Sequence, residues 1–160
     1  MIEAPHIGLA TARDARAIAE LSRDTIEHGL QWAWTERRVC HSLADRATNV
    51  VVARCGGELA GFALMKYRSD DAHLLLLGVV PARRRQGIAT ALLAWLEETL
   101  RVAGVANVQV EVRAGNAAAR ALYAKLGFDE VGATRGYYQG VEDTIHLVRE
   151  ITPMSGDNLR

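Results

Sequence analysis

The chain predicts a mixed α/β sheet, mostly antiparallel, with a central parallel strand pair flanked by helices. Three observations carry this. Leu74 to Val80 is a run without a polar side chain, long enough for a strand buried on both faces. Ile88, Leu92, Leu93, Leu96 and Leu100 then recur at helical spacing. Val108, Val110 and Val112 alternate with Gln109, Glu111 and Arg113, a strand of period two. A strand, a long helix and a strand in succession imply parallel neighbours joined by a right-handed crossover, in a sheet otherwise closed by hairpins.

The remaining elements follow in order. Ile7 to Ala10 reads as a short strand, and Thr11 and Asp14 supply capping side chains for a helix through Ala17, Ile18 and Leu21 that ends near His28-Gly29. The stretch Leu30 to Arg38 is an aromatic-bearing loop that leads, with Thr35 as cap, into a second short helix. Asn49 to Cys55 and Leu59 to Tyr67 are β-rich runs joined at Gly56-Gly57, where glycine supplies positive φ without steric cost. A third strand covers Ala72 to Val80, and a helix from about Gln86 to Val102 stops at Gly104. After the valine strand, Gly115-Asn116 opens a short helix over Ala117 to Leu126, ended by Gly127. Phe128 to Tyr138 and Thr144 to Ile151 are two antiparallel strands joined near Gly140.

At 160 residues the chain suits a single domain, 1–152, with a polar tail at 153–160. Nineteen Lys and Arg balance nineteen Asp and Glu, so there is no global basic field of the kind that drives nucleic-acid binding. Cys40 and Cys55 have no C-x-x-C spacing, which argues against a disulfide framework or zinc site and for a reduced, cytoplasmic setting. The expectation is no membrane partner, because there is no basic start with an apolar h-region and no run of about twenty apolar residues. His28, His41, His73 and His146 lack ligand-like spacing and read as structural or exposed, so no metal is expected.

The densest chemical signal is Val79 to Thr90, where an apolar run stops at Pro81, three arginines follow, and a helix pattern opens beyond Gly87. Gly87 and Ala89 let the N–H groups at a helix N-terminus approach an anion closely. No lysine follows Gly87 and there is no G-x-G-x-x-G, which removes most support for a nucleotide triphosphatase or a hydride-transfer enzyme. On local sequence alone the alternative stays open that Arg83 to Arg85 are a solvated face and Gly87 a tight turn.

Arg84-Arg85-Gln86-Gly87-Ile88-Ala89 resembles the acyl-coenzyme-A motif of the GNAT N-acetyltransferases, [QR]-x-x-G-x-[GA], placed after a buried strand ending Val-x-Pro. The segment Glu111 to Phe128 is similar, nearly residue for residue, to the ribosomal-protein-alanine N-acetyltransferases, and Gly136-Tyr137-Tyr138 with Glu142-Asp143 fits that group's C-terminal region. The strong similarity spans roughly Leu77 to Leu147.

The resemblance implies the GNAT acyltransferase fold and transfer of acetyl from acetyl-coenzyme A to a primary amine. It implies that backbone groups at Leu77, Gly78 and Val79 hold the pantetheine arm. Arg84, Arg85, Gln86, Gly87, Ile88, Ala89 and Thr90 would surround the pyrophosphate, with Asn116 also contacting the coenzyme. A backbone N–H near Val79 would polarise the thioester carbonyl, a contact typically worth about 3 kcal/mol.

Glu111 is a carboxylate within a valine strand, sharing a face with Gln109. On its own that reads equally well as a surface residue; the resemblance makes it the general base. An α-amine with a pKa of about 8 costs only about 1.4 kcal/mol to neutralise at pH 7, so a carboxylate suffices. Tyr123, seven residues beyond Asn116 and so on a similar helix face, reads as core packing or, by resemblance, as the general acid for the coenzyme thiolate. Trp34, Tyr137 and Tyr138 are the expected acceptor-site residues, although Trp32 and Trp34 also suit a core, and Ala33 stands where the family has proline.

The acceptor expected is the α-amine of a protein N-terminus, with a small-molecule amine as the rival substrate class and a non-catalytic acyl-coenzyme-A-binding regulator as the rival of another kind. Cys40 and Cys55 lie outside the motifs, which points to direct attack without an acyl-enzyme. Monomer and homodimer remain equally open.

Overall fold

The structure is a computed structural model and describes residues 4–138 and 142–152. The expected polar tail, and the bend near Gly140, lie outside the described residues. Seven strands form one sheet in the order β1-β2-β3-β4-β5-β7-β6, mixed through a parallel β4–β5 pair as the strand–helix–strand succession predicts. Contacts divide the chain into two compact units, Met1–Tyr67 with Leu74–Leu96, and Arg68–His73 with Glu97–Arg160.

In the first unit, β1 (His6–Leu9), β2 (Thr48–Cys55) and β3 (Glu58–Tyr67) pair antiparallel. β4 (Asp71–Val79) follows, its residues from Leu74 onward belonging here. Gly56 and Gly57, at φ +60° and +83°, make the hairpin turn between β2 and β3. Helix α1 (Ala15–Thr25) places Ala15, Ile18, Ala19 and Ser22 on one fully buried stripe, the i, i+3, i+4, i+7 set of an amphipathic helix. That stripe joins Val39 of α2 (Glu36–Ala44) and Val50, Val52, Phe62, Leu64 and Leu76 in a core cluster. Thr35 caps α2, its hydroxyl accepting from Arg38 N at 3.4 Å, as expected. Helix α1 ends earlier than the sequence suggests, at Thr25; the chain then turns through Gly29 at φ +82°.

Two glycines set how closely this unit packs. A Cβ on Gly61 would lie 2.8 Å from the Gly78 carbonyl and 3.0 Å from Ile88 of α3 (Ile88–Ala103). A Cβ on Gly78 would lie 2.8 Å from the ring of Phe62, itself fully buried.

Burial along β4 corrects the reading of a strand buried on both faces. Ala72, Leu74, Leu76 and Gly78 are buried, whereas Leu77 and Val79 are half-buried and Leu75 is 37% exposed. The run is apolar throughout, but only one face is covered; the core takes alternate residues.

The second unit contains β5 (Asn107–Arg113), α4 (Ala117–Lys125), β6 (Asp129–Tyr138) and β7 (Glu142–Glu150), with β7 antiparallel between β5 and β6. The start of β4 lies beside β5 here: Ala106 N donates to Asp70 O at 3.0 Å and Gln109 Nε2 to Asp71 Oδ2 at 2.8 Å. Val108, Val110 and Val112 are buried and Gln109, Glu111 and Arg113 half-buried, the predicted alternation. Arg149 is a strut: Nη1 donates to Leu126 O at the end of α4, 2.8 Å, and pairs with Glu97 of α3 at 2.5 Å. A guanidinium there meets carbonyls at a helix C-terminus, where positive charge is favoured.

At the entry to α1, Asp14 accepts from Thr11 N at 2.9 Å and forms an ion pair with Arg54 of β2. Burial alone would raise the Asp14 carboxyl, but the bonds from Arg54 and Thr11, with the Arg54 charge, together hold it below the ordinary aspartate range. A depressed carboxyl contributes stability above its unfolded value of about 4 and loses it as pH falls through the folded value. Asp14→Asn is therefore expected to destabilise the protein by about 1–3 kcal/mol at pH 7, with the deficit shrinking below pH 4, in urea titrations across pH. Gly78→Ala forces a methyl into Phe62 and is expected to cost about 1–3 kcal/mol in the same measurement.

Candidate active site

The candidate residues form two groups, one in each unit. In the first, β4 ends and Pro81–Arg83 makes a short 3-10 turn. The chain then passes through Arg85 at φ +64° and Gly87 at φ +77° before α3 begins at Ile88, two residues later than expected. Arg85 holds a left-handed conformation that side chains other than Asn, Asp and Gly seldom adopt, so the turn is over-determined rather than loose. The first helical bond runs from Ala91 N to Gly87 O at 3.0 Å, so the N–H groups of Ile88, Ala89 and Thr90 precede the ladder. Alternating backbone of this kind turns successive N–H groups toward one point and makes a concavity for an anion. Gln86 is half-buried in the turn: its amide Nε2 is the group that can donate to an anion, while its Oε1, an acceptor, is buried with no hydrogen-bond partner. Arg84, Arg85 and Thr90 are exposed, while Ile88 and Ala89 are buried and anchor the helix start. Together these groups fit a coenzyme pyrophosphate.

Also in the first unit is the aromatic loop. Glu27 is 7% exposed, and its carboxylate accepts from Ala33 N at 2.7 Å, Trp34 N at 3.0 Å and the Ser22 hydroxyl at 2.9 Å. One buried carboxylate therefore sets the path of the loop. Trp34 is half-buried against the core with the Arg38 guanidinium 3.8 Å over its ring, whereas Trp32 is 39% exposed beneath Arg23. Trp34, Arg38, His41, Asp45, Lys66 and Leu75 line much of an open groove of about 260 Å³. Trp34 thus serves core and groove together.

In the second unit, Glu111 sits mid-strand on β5 with its side chain 30% exposed. Directly opposite on β7 is His146, whose Nδ1 is 3.6 Å from Glu111 Oε1. The other ring nitrogen, Nε2, is 2.7 Å from the Thr134 hydroxyl of β6. His73, from the start of β4, is half-buried near the same carboxylate, its Nδ1 3.3 Å from Arg68 Nη2. Burial chiefly holds the His73 imidazole below the usual histidine range; Glu111 and Asp71 pull it up, while Arg68 and His146 push it down. A histidine read from sequence as structural or exposed thus lies against the candidate base.

Asn116 caps α4, its side-chain oxygen accepting from Ala119 N at 3.1 Å. That bond is structural; it leaves the amide nitrogen and the second lone pair of the oxygen for any coenzyme contact. Tyr123 is 6% exposed and meets Phe128 edge-on, ring centroids 5.3 Å apart. Tyr137 and Tyr138 lie in β6, their side chains outside the described residues. Glu142 and Asp143, which carry part of the resemblance, hold turns: Glu142 Oε1 accepts from Gly115 N at 2.9 Å and Asp143 Oδ1 from Gly136 N at 3.0 Å.

Sequence reasoning missed Glu27 and His146. Neither belongs to a motif; Glu27 acts on backbone donors six and seven residues ahead, and His146 meets Glu111 only through strand register.

The pattern of the Acetyltransferase (GNAT) family matches residues 14–128. The [ribosomal protein bS18]-alanine N-acetyltransferase of Escherichia coli (strain K12) is 38% identical over 122 residues, covering 74% of this chain and 82% of that protein. The N-alpha-acetyltransferase RimI of Mycobacterium tuberculosis is 35% identical over 137 residues, 83% of this chain and 84% of its own length. The crystal structure of the ribosomal-protein-S18-alanine N-acetyltransferase from Escherichia coli superposes with a TM-score of 0.80 at 33% identity, over 98% of this chain and 99% of that one. The strand order, the positive-φ turn before α3 and these matches lead to one conclusion: the chain belongs to the GNAT acetyltransferase family.

Proposed function

We propose that this enzyme transfers acetyl from acetyl-coenzyme A to the α-amine of a protein N-terminus, of the ribosomal-protein-alanine kind. The observation that carries the acceptor class is the 38% identity over three quarters of the chain to an enzyme of that name. The coenzyme supplies an activated thioester. The Arg84 to Thr90 turn binds its pyrophosphate through backbone N–H groups and Gln86, and backbone groups of Leu77 to Val79 hold the pantetheine arm and steady the developing oxyanion.

Glu111 then takes the proton of the incoming amine, directly or through water. Its half-exposed place on a strand supports this role, because the carboxylate can meet both substrate and solvent. Tyr123 donates its phenolic proton to the departing thiolate; burial beside Phe128 holds the ring in one orientation. Attack is direct, with no acyl-enzyme. Trp34, Tyr137 and Tyr138 contribute to the acceptor site, and the Glu27 carboxylate sets the loop that carries Trp34.

Two measurements test this reading. Mass spectrometry of peptides incubated with the enzyme and labelled acetyl-coenzyme A should show label on the α-amine of alanine-initiated peptides; transfer to free small amines alone would overturn the acceptor class. Glu111→Gln and Tyr123→Phe are each expected to lower kcat by about 10²–10⁴ while leaving folding and coenzyme affinity near wild type, by calorimetry and steady-state kinetics.

A further inference from the structure

We propose that His146 is a positioning residue for Glu111 that also receives the proton Glu111 collects, so that the base is a carboxylate–imidazole–hydroxyl chain running from β5 through β7 to β6. The inference rests on the reading of Glu111 as general base.

Three features of the second unit support it. Register places Glu111 directly across from His146, with Nδ1 3.6 Å from Oε1. The far side of the ring is held by Thr134, diagonal to His146 on β6, at 2.7 Å from Nε2. The residue of β6 that pairs with His146 is Gly132, where a Cβ would meet nothing within 4 Å, so the ring lies beside open space and is 33% exposed. In the tautomer in which the Thr134 hydroxyl accepts from Nε2–H, the Nδ1 lone pair is the one that takes a proton from the Glu111 carboxyl.

The chemistry calls for such a partner. A carboxyl group in water is about four pH units more acidic than an α-ammonium, so a proton taken by a carboxylate alone is easily returned to the amine; an imidazole lies within about two units. The protons balance. One leaves the amine nitrogen for Glu111 Oε, passes to His146 Nδ1 as the pair closes its 3.6 Å separation, giving an imidazolium beside a restored carboxylate, and leaves the exposed ring for water; the proton that Tyr123 gives the thiolate is replaced from water. The ring ends neutral, as it began.

The other charged groups on this face are Glu142 and Glu150 of β7 itself, Asp129 of β6, Arg113 of β5, and Asp71 and His73 from the start of β4, with Arg68 just before it. His73 is the rival for any histidine ionisation. Burial and Arg68 disfavour its charged form, which makes it the poorer proton acceptor.

The test is steady-state acetyl transfer to an alanine-initiated peptide between pH 5 and 9, with wild type, His146→Gln, His73→Gln, Thr134→Val and Glu111→Gln. Glutamine keeps hydrogen-bonding groups at position 146 but cannot carry the proton. His146→Gln is expected to lower kcat on the order of tenfold, leave the KM for acetyl-coenzyme A within about twofold, and remove an ionisation from the acid limb. Thr134→Val should give a smaller fall in the same direction. An unchanged pH profile in His146→Gln overturns the proposal, even if kcat falls, because a structural role would leave the acid limb in place. Loss of the ionisation in His73→Gln instead also overturns it. Full activity of Glu111→Gln overturns the base assignment itself, whatever His146 does; if wild type acetylates only free small amines, the acceptor reading falls and the same pH profiles, recorded with such an amine, decide the His146 inference separately.

Discussion

The register of β5 against β7 is the constraint on which the second unit depends. Val108, Val110 and Val112 must all point inward, and period two then forces Gln109, Glu111 and Arg113 outward together. A slip of one residue would bury Glu111 and expose three valines, an exchange no core tolerates. Because Val110 pairs with Leu147 and Val112 with Ile145, the same alignment delivers His146 to Glu111. The β6 irregularity between Glu130 and Gly132 leaves a glycine across from His146 and Thr134 on its diagonal. Three strands thus bring carboxylate, imidazole and hydroxyl together.

The first unit answers a different demand, which is to present backbone rather than side chains. Gly61 and Gly78 let β3, β4 and α3 approach to distances that a methyl group would forbid, and this close contact supports the end of β4 and the turn beyond it. The turn itself holds Arg85 in a left-handed conformation, a local cost of about 1–3 kcal/mol that the packed strand and helix on either side sustain. Such a turn aims N–H donors at a point with no need for side-chain order, which suits a flexible diphosphate. The exposed Arg84 and Arg85 place positive charge beside this backbone turn.

Several charged residues serve structure rather than chemistry. Arg120 forks onto Glu130 at 2.8 and 3.0 Å and also donates to Ala114 O, tying α4 to β6 and to the end of β5. Arg149 does the same for α3, α4 and β7, and Glu142 pins the Gly115 turn that starts α4.

Most of the fold was legible because its signals are local. Glycines at 56, 57, 87, 104 and 127 carry positive φ where the reading placed turns or helix ends, and the valine period located β5 without help. The turn before α3 was legible for the same reason, being contiguous in the chain. The run Leu74 to Val80 misled on burial, since an apolar strand looks the same whether one face or both are covered. Glu27 and His146 were invisible because their partners are chosen by loop path and strand pairing. By itself, then, the sequence determined the order of elements, the glycine turn before α3 and the family; only the tertiary structure decided which half-buried groups meet Glu111. Hydrophobic periodicity and turn chemistry act over a few residues, whereas the surroundings of a catalytic proton are set by side chains far apart in the chain.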